Sequence, residues 1–572
     1  MFRRNQKHQQ LEMFSTVQSL RDDQRKLLDG SWAGVFYREL FCRLDERPFA
    51  VLYSDEASRP NVPVNVLIGL EVLKAGFGWS DAEMYEAFTF NLQVRYALGY
   101  RDLSEGYLDI RTVYYFRQRV AEHMQKTGTN LLAQAFAQVT DAQVKAFAIK
   151  TGRLRMDSTF IASNICAMSR LHLLVEVLQR VDHMLTPADQ VRYEPDFAAY
   201  RKGSAHQYVY RVRGEDGHQH MQQIGDLMQR LLGELAPAYQ DEASYQMLER
   251  VFHEHFVVEP DTRLRLKQGK ELSADSLQSP DDPDASFRLK RGKEYTGYAV
   301  NVTETCDPEN PVQLIVQMQT QPNTVDDPTL LTHDLPALIE RCAADELNTD
   351  GGYNNATTAA QMRAAQIAHV QTALRGHEAT GLSRSAFTFE TTADGVPTSV
   401  RCPQGQRTTF RQTRPAWYAA DFDATQCAVC PLVQCCPTKP RKRHPVRVLC
   451  VDVHDVEIAR RRQQIAANKA AGRNLRVAIE STIGTLKHPY PDDQLPVRGL
   501  GRVSDMMLAC GLMLNVRRLW RYLTDKHEQE PGTPDATVLC TATSDPVVSV
   551  SHLLLRLLAG LRWLYRQPAP SC

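Results

Sequence analysis

The sequence lacks an excess charge of either sign, since its 67 lysines and arginines equal its 67 aspartates and glutamates. A zero balance gives no global argument for a nucleic-acid or membrane partner. No apolar run is long enough to span a bilayer, and the first ten residues, MFRRNQKHQQ, have no apolar core of the kind that signal peptides carry. These absences predict a protein that is neither secreted nor embedded in a membrane.

The cysteine content does not indicate a disulfide framework. The 572 residues include 13 cysteines, an odd number, and without a secretory signal we expect thiols or metal ligands in a reducing cytoplasm. The apolar fraction of 43% and the charged fraction of 23% are ordinary for a globular chain. At this length about two to four domains are expected, each with its own core.

The hydrophobic period changes several times along the chain. Helical spacing dominates the N-terminal stretch and the long stretch after residue 165, whereas residues 295–302 and 312–318 alternate like two adjacent strands. The order strand, two strands, helix, strand, helix, strand predicts a ribonuclease H-like α/β core with a mixed sheet. The predicted segments are an all-helical N-terminal domain (1–146), the first core strand (147–164), a helical insertion (165–285), the core (286–374), a small β-rich insertion with cysteines (375–456), completion of the core by a helix that carries Glu480 (457–523), and a linker with an amphipathic C-terminal helix (524–572).

Two aspartates stand where an apolar segment stops. Asp157 is placed at the predicted end of the first core strand, and Asp350 follows the short predicted strand that ends at Thr349. A single aspartate in such a place is most often a turn or cap residue. Two of them in the order of this fold are instead candidates for a shared acidic site.

A third acid, Glu480, forms a charged stripe with Arg473, Arg476 and Lys487. At about 100° per residue these four side chains project within an arc of roughly 60° on one predicted helix. From spacing alone, a solvated ladder of ion pairs is the competing interpretation. Three carboxylates brought together, however, supply the oxygen ligands that Mg²⁺ takes, and two such ions roughly 4 Å apart clamp the attacking and leaving oxygens of a phosphoryl displacement.

The pattern R-x3-E-x6-K and the two aspartates resemble the DDE transposases of bacterial insertion sequences, in the branch with the signature Y-x2-R-x3-E-x6-K. Arg476, Glu480 and Lys487 match the signature, and the tyrosine position is taken by Arg473. The two aspartates match as well, the first in its D-S-T setting at residues 157–159 and the second in its D-x-G-Y setting at 350–353. The resemblance covers most of the chain.

The resemblance implies an enzyme that cleaves the ends of a mobile element and transfers the freed 3′-hydroxyl into target DNA. Asp157, Asp350 and Glu480 would bind Mg²⁺ or Mn²⁺, and the cations Arg473, Arg476 and Lys487 would contact phosphate. The helical N-terminal domain (1–146) would bind the terminal inverted repeats of double-stranded DNA, and a homodimer would pair the two ends. Two alternatives stay open, namely a nuclease of the same fold that cuts without joining, and a domesticated zinc-stabilised DNA-binding protein without catalysis.

Cysteines and cations cluster between the second aspartate and Glu480. Four thiolates satisfy tetrahedral Zn²⁺ and could fold a segment that is too small to hold itself together; reduced structural cysteines without metal are the alternative. The basic residues that follow are candidates to grip DNA phosphates without sequence preference, with a solvated loop as the competing interpretation. The candidate zinc ligands are Cys402, Cys427, Cys430 and Cys436, with Cys435 as an alternative to Cys436, and the candidate phosphate contacts are Lys439, Arg441 and Arg443.

Overall fold

A computed structural model describes residues 1–529 apart from 11–13, 55, 57–59, 261–262, 375–380, 393–394, 443 and 473. Arg443, Arg473 and the predicted C-terminal amphipathic helix therefore lie outside the described residues. The chain divides into two compact units, residues 1–522 and 523–572, and the contacts below belong to the first. Within the described ranges, every helix is too short or too polar to traverse a lipid bilayer.

The N-terminal part is helical, as predicted. Its longest helices begin at side chains that cap them, since Asp109 accepts a hydrogen bond from the backbone N–H of Arg111 and Asn130 accepts one from that of Ala133. The helices are α1 (Asp22–Gly30), α2 (Trp32–Glu39), α3 (Val64–Phe77), α4 (Asp81–Phe90), α5 (Leu92–Ala97), α6 (Ile110–Thr127) and α7 (Leu131–Ala146).

The first strand of the core, β1 (Arg153–Ile161), leads into the insertion. The insertion has a core of its own, in which the apolar face of its first helix, including Leu174 and Leu178, packs against Leu231 and Leu248. It consists of α8 (Arg170–Met184), α9 (Pro187–Arg192), α10 (Glu194–Phe197), α11 (Ala205–Arg211), α12 (Gly217–Tyr239), α13 (Ala243–His255) and the hairpin of β2 (Phe256–Val258) and β3 (Leu264–Leu266).

The central sheet has the strand order of a ribonuclease H-like fold, which confirms the predicted fold class. Its remaining elements are β4 (Ser286–Lys290), β5 (Lys293–Thr305), β6 (Ile315–Pro322), α14 (Asp327–Cys342), β7 (Glu346–Thr349), α15 (Ala356–Ala364) and β8 (Ala368–Gln371). The strands run in the order β6-β5-β1-β7-β8, with β4 paired to the start of β5. β1 is parallel to β7 and antiparallel to β5.

β1 does not end near Asp157, so that prediction is wrong. The strand continues to Ile161 because β5 pairs with it along its length, from Thr305 opposite Leu154 to Tyr298 opposite Ile161. Local apolar periodicity stops at Asp157, but the partner strand supplies the backbone hydrogen bonds that extend the ladder.

A second sheet occupies the predicted β-rich insertion. Its strands run in the order β13-β14-β12-β11-β10-β9 around a small core that includes Phe387, Phe389 and Phe422. Its elements are β9 (Thr388–Thr391), β10 (Pro397–Arg401), β11 (Arg407–Arg414), β12 (Trp417–Asp423), α16 (Ala424–Ala428), β13 (Lys439–Pro440), β14 (Val446–Asp452) and α17 (Val453–Ala470).

The last two helices complete the core. They are α18 (Ala478–Lys487), which packs against β1, and α19 (Leu500–Gln529), which continues into the stretch predicted as a linker. Asn515 of α19 exchanges two hydrogen bonds with the backbone of Ile315, at 2.8 and 2.9 Å, and Arg517 donates to the carbonyl of Gly76 in α3 at 2.7 Å. α19 therefore joins the N-terminal helices to the central sheet.

Candidate active site

Asp157 is held by a central strand and not by a loop. It lies opposite Val302 of β5, its side chain is 13% exposed, and its Oδ1 accepts a hydrogen bond from the backbone N–H of Ser158 at 3.0 Å. Because side chains alternate along a strand, Asp157 shares its face of the sheet with Arg155. The contacts of Arg155 reach the turn before α18, so this is the face that α18 covers.

Asp350 begins a tight turn directly after β7, as predicted. Its Oδ1 accepts a hydrogen bond from the backbone N–H of Gly352 at 2.6 Å. A Cβ on Gly351 would lie 2.4 Å from the carbonyl oxygen of Ala373, so a glycine is required there. The fully buried Tyr353 anchors the other end of the turn. The acid is therefore fixed by its own turn.

Tyr353 connects that turn to the opposite face of the sheet. Its hydroxyl donates to Oδ1 of Asn301 at 2.6 Å, and Nδ2 of Asn301 donates to Oδ2 of Asp334 in α14 at 2.7 Å. All three side chains are buried. The tyrosine of the D-G-G-Y sequence thus positions Asp350 through β5.

Glu480 lies on a helix, but Arg476 does not share that helix. α18 begins at Ala478, and the N–H groups of Ile479 and Glu480 donate to the carbonyls of Arg476 and Val477 in a tight turn that precedes it. The prediction of one helix carrying the whole stripe is therefore wrong. The turn lets Arg476 reach back toward the sheet.

Arg476 bridges two of the three predicted carboxylates, Asp157 and Glu480. Its Nη2 donates to Oδ2 of Asp157 at 2.6 Å and its Nη1 donates to Oε1 of Glu480 at 3.2 Å. Burial lowers the pKa of this guanidinium, but the negative charges of Asp157, Asp350 and Glu480 outweigh that effect and raise it. The fold thus joins three of the predicted site residues through direct contacts, and the charge of Asp350 is near enough to influence them.

The charge on Asp157 is costly in this setting. Burial raises the pKa of its carboxyl above the ordinary value, the Arg476 guanidinium lowers it, and the nearby charge of Asp350 raises it again, so that the net direction is upward. Two carboxylates that repel each other in a partly buried site favour a bound cation.

Three other predicted phosphate contacts, Lys487, Lys439 and Arg441, belong to the described residues, and none of them forms an ion pair with these acids. Lys487 ends α18, and its Nζ pairs with Oδ2 of Asp493 at 2.8 Å, with the lysine side chain 16% exposed. Lys439 and Arg441 are exposed at the edge of the second sheet, where β13 pairs with β14. The structure therefore places Arg476 among the carboxylates and gives Lys487 a partner elsewhere.

The predicted thiol ligands line one part of the second sheet. Cys402, Cys427 and Cys436 pack against its core, and Cys427 has a raised pKa because of burial, with the other two thiols close enough to add to that shift. The present partners are polar side chains, since Gln406 approaches Sγ of Cys427 at 3.9 Å and Sγ of Cys436 lies 3.2 Å from Oγ1 of Thr438. Zinc at these thiols stays a prediction.

Across the ranges that the structure describes, no group of three or more His, Cys, Asp or Glu side chains is arranged to hold a metal ion. The donor chemistry of Asp157, Asp350 and Glu480 nevertheless suits Mg²⁺ or Mn²⁺, which take carboxylate oxygens. Arg476 bridges two of these acids at present. A divalent cation at these acids would have to replace the guanidinium as the partner of Asp157 and Glu480.

Sequence reasoning missed several buried polar residues next to the site. Glu304 and Asn301 both lie on β5 and are completely buried, and Thr482 lies on the inner face of α18. The available signal was the place of Glu304 in the alternation that follows Val300 and Val302, where a side chain is expected to be buried. An unpaired buried charge is too costly to be retained, so a partner is implied. What Glu304 contacts depends on the fold and not on its neighbours in the chain.

Two family models match parts of the chain. Residues 401–520 match the family described as "Transposase DDE domain", and residues 26–119 match "Transposase domain (DUF772)". The first match includes Glu480 and the second covers most of the N-terminal helices. Neither a curated protein nor a solved structure matches the chain. Together with the sheet order, the two matches support an insertion-sequence DDE transposase.

Proposed function

We propose that this transposase cuts phosphodiester bonds at the ends of its element and joins the freed 3′-hydroxyl to target DNA. The observation that carries the proposal is the bridge that Arg476 makes between Asp157 and Glu480 at the face of a ribonuclease H-like sheet. Asp350 follows the neighbouring strand β7, and its charge affects the pKa of both Asp157 and Arg476. Side chains that project from a strand, a strand end and a packed helix are held rigidly, as in-line displacement requires.

The three carboxylates would hold Mg²⁺ or Mn²⁺. A divalent cation bound there supplies an activated water and stabilises charge on the attacking and leaving oxygens. The protein supplies the orientation, since Asp157 is fixed by β1, Asp350 by its turn and Glu480 by α18. The same constellation then serves cleavage and joining, because both are displacements at phosphorus.

Arg476 would exchange its carboxylate partners for a DNA phosphate. Its Nε is buried and has no hydrogen-bond partner among the described residues, so the guanidinium keeps an unused donor. A planar guanidinium binds phosphate through two parallel hydrogen bonds. We infer that arrival of metal and DNA moves the charge of Arg476 from the acids to the scissile phosphate.

The N-terminal helices (1–146) would bind the terminal inverted repeats, with two protomers pairing the two ends. Phosphate contacts along the duplex would come from Arg473 and Lys487 in the signature stripe and from the basic residues Lys439, Arg441 and Arg443. Such contacts fix position and are weakened by salt. The proposed compartment is the cytoplasm.

Incubation of the purified protein with DNA that carries both flanking ends, in Mg²⁺ or Mn²⁺, tests the activity. We expect breaks at the ends and joined products in a target plasmid, and no products when the end sequences are scrambled. Breaks without joined products would identify a nuclease, and specific end binding without breaks would identify a DNA-binding protein. Either result would overturn the proposal.

Zinc at Cys402, Cys427, Cys430 and Cys436 is a separate prediction, with Cys435 as the alternative fourth ligand. Metal analysis of the protein purified without chelator is expected to give one zinc per chain, and Cys427→Ser is expected to release it and destabilise the second sheet. Cys450→Ser, at an exposed thiol on β14, is the matched control and should keep the metal. A preparation with no zinc would contradict the prediction.

A further inference from the structure

Glu304 is a fully buried carboxylate on β5 with a complete set of donors. Nε of Arg155 donates to Oε1 at 2.7 Å and Nη1 of Arg518 donates to Oε2 at 2.6 Å. The hydroxyl of Thr482 lies 2.9 Å from both carboxylate oxygens. Each partner belongs to a different element, namely β1, α19 and α18.

Arg155 connects Glu304 to two of the candidate site residues. It stands two positions before Asp157 on β1 and lies directly opposite Glu304 in the strand register. Its Nη1 also donates to the backbone carbonyl of Leu475 at 3.0 Å, immediately before Arg476. One guanidinium thus fixes the strand of the first acid and the turn that carries Arg476.

Thr482 connects Glu304 to the third acid. It lies two residues after Glu480, and it is buried whereas Glu480 is 62% exposed, so the two side chains project from different faces of α18. Arg518 donates to the Thr482 hydroxyl as well as to Glu304. Hydrogen bonds to a single carboxylate and its partners therefore connect α18 to the sheet.

Stability alone does not require a charge at this position. The neighbouring Val300 and Val302 of β5 are completely buried and apolar. Buried ion pairs are often replaced by apolar residues without loss of stability, whereas their directional contacts specify geometry. The elements that meet at Glu304 are those that carry Asp157, Arg476 and Glu480.

We propose that Glu304 is a positioning residue that sets the placement of α18 and its preceding turn against β1. It thereby determines whether Asp157 and Glu480 stand close enough to share divalent cations. The metal-binding consequence rests on the proposed function, whereas the placement of α18 does not.

Two substitutions test the positioning role of Glu304, one at Glu304 itself and one at its partner Thr482. Glu304→Gln keeps the shape of the side chain and removes its charge, and Thr482→Val removes the hydroxyl while both arginines keep their carboxylate partner. Thr482→Ser restores the hydroxyl. Asp182→Asn is the matched control, because Asp182 is a buried acid paired with Arg201 at 2.6 Å within the insertion.

Hydrogen exchange of residues 475–487 and the Mn²⁺ dependence of end cleavage are the two readouts. In Glu304→Gln and Thr482→Val we expect faster exchange in that segment and a Mn²⁺ requirement raised about 10- to 100-fold, the range typical of residues that support metal ligands. Binding of element ends in a gel-shift assay should stay within about twofold in each variant. Thr482→Ser and Asp182→Asn should match the unsubstituted protein in exchange of this segment and in Mn²⁺ requirement.

Unchanged exchange at 475–487 in Thr482→Val would overturn the proposal, as would faster exchange with an unchanged Mn²⁺ requirement. Thr482→Val decides the matter if Glu304→Gln does not fold. If the proposed function is wrong, Asp157→Ala cleaves like the unsubstituted protein. The exchange measurement does not depend on cleavage, so it still tests the placement of α18.

Discussion

Asp157→Asn is expected to lower metal-dependent cleavage of the element ends by about a thousandfold, with similar losses for Asp350→Ala and Glu480→Gln. Metal stabilisation of the developing charge contributes several kcal/mol, and about 1.4 kcal/mol corresponds to tenfold in rate. Initial rates in Mg²⁺ measure the effect. Glu340→Gln, at an exposed carboxylate of α14, is the control and should keep full activity.

The same Asp157→Asn protein is expected to be at least as stable as the unsubstituted one at pH 8. The pKa of Asp157 is raised in the folded state, chiefly by burial. An acid with a raised folded pKa contributes stability below its unfolded pKa, and that contribution is lost as pH rises through the folded pKa. The variant should therefore gain relative stability between about pH 4 and pH 8.

Thermal unfolding of both proteins at pH 5 and pH 8 checks the sign. A lower melting temperature for Asp157→Asn at pH 8 would mean that the ion pair with Arg476 outweighs the cost of burying the charge. In the cleavage assay, full activity of any of the three acid variants would show that the substituted acid does not belong to the active site. Activity and stability should thus move in opposite directions at Asp157.

Arg476→Ala is expected to lower cleavage by about a hundredfold, because one charged donor aimed at a developing phosphate charge is typically worth 10²- to 10³-fold in rate. Mn²⁺ binding should stay equal or tighten, since the guanidinium no longer competes for Asp157 and Glu480. Lys487→Ala should cost less than about tenfold in this comparison. Its ammonium group is already paired with Asp493.

Arg476→Lys separates charge from geometry. Lysine keeps the positive charge but cannot form two parallel hydrogen bonds to one phosphate. We expect intermediate cleavage, measured as the rate at saturating Mn²⁺. If Arg476→Ala instead weakened Mn²⁺ binding as much as cleavage, the side chain would support the metal ligands and not the phosphate.

The sequence predicted what depends on local pattern. Alternation and helical spacing located β5, β6 and the helix of Glu480, and a strand end located Asp350. The extent of β1 was not predictable in this way, because residues beyond Asp157 are ordered by pairing with β5, far along the chain. The start of α18 was not predictable either, because a tight turn and not the helix carries Arg476.

The contacts that make the site were beyond local pattern. Arg476 bonds to Asp157 across hundreds of residues, and Glu304 bonds to Arg518 across a similar distance. Only the tertiary fold decides which of many arginines neutralises which acid. Lys487 is a further example, because its place in the signature stripe did not predict its ion pair with Asp493.

The contacts of Glu304 join parts of the chain that are synthesised at different times. Chains fold as they emerge from the ribosome, N-terminal parts first. Asp157 and Glu304 emerge well before Glu480, and Arg518 of α19 emerges later still. A nascent chain therefore contains the core strands with Asp157 and Asp350 before it contains α18 with Glu480. Until α18 has been made, the chain therefore lacks one of its three proposed metal ligands.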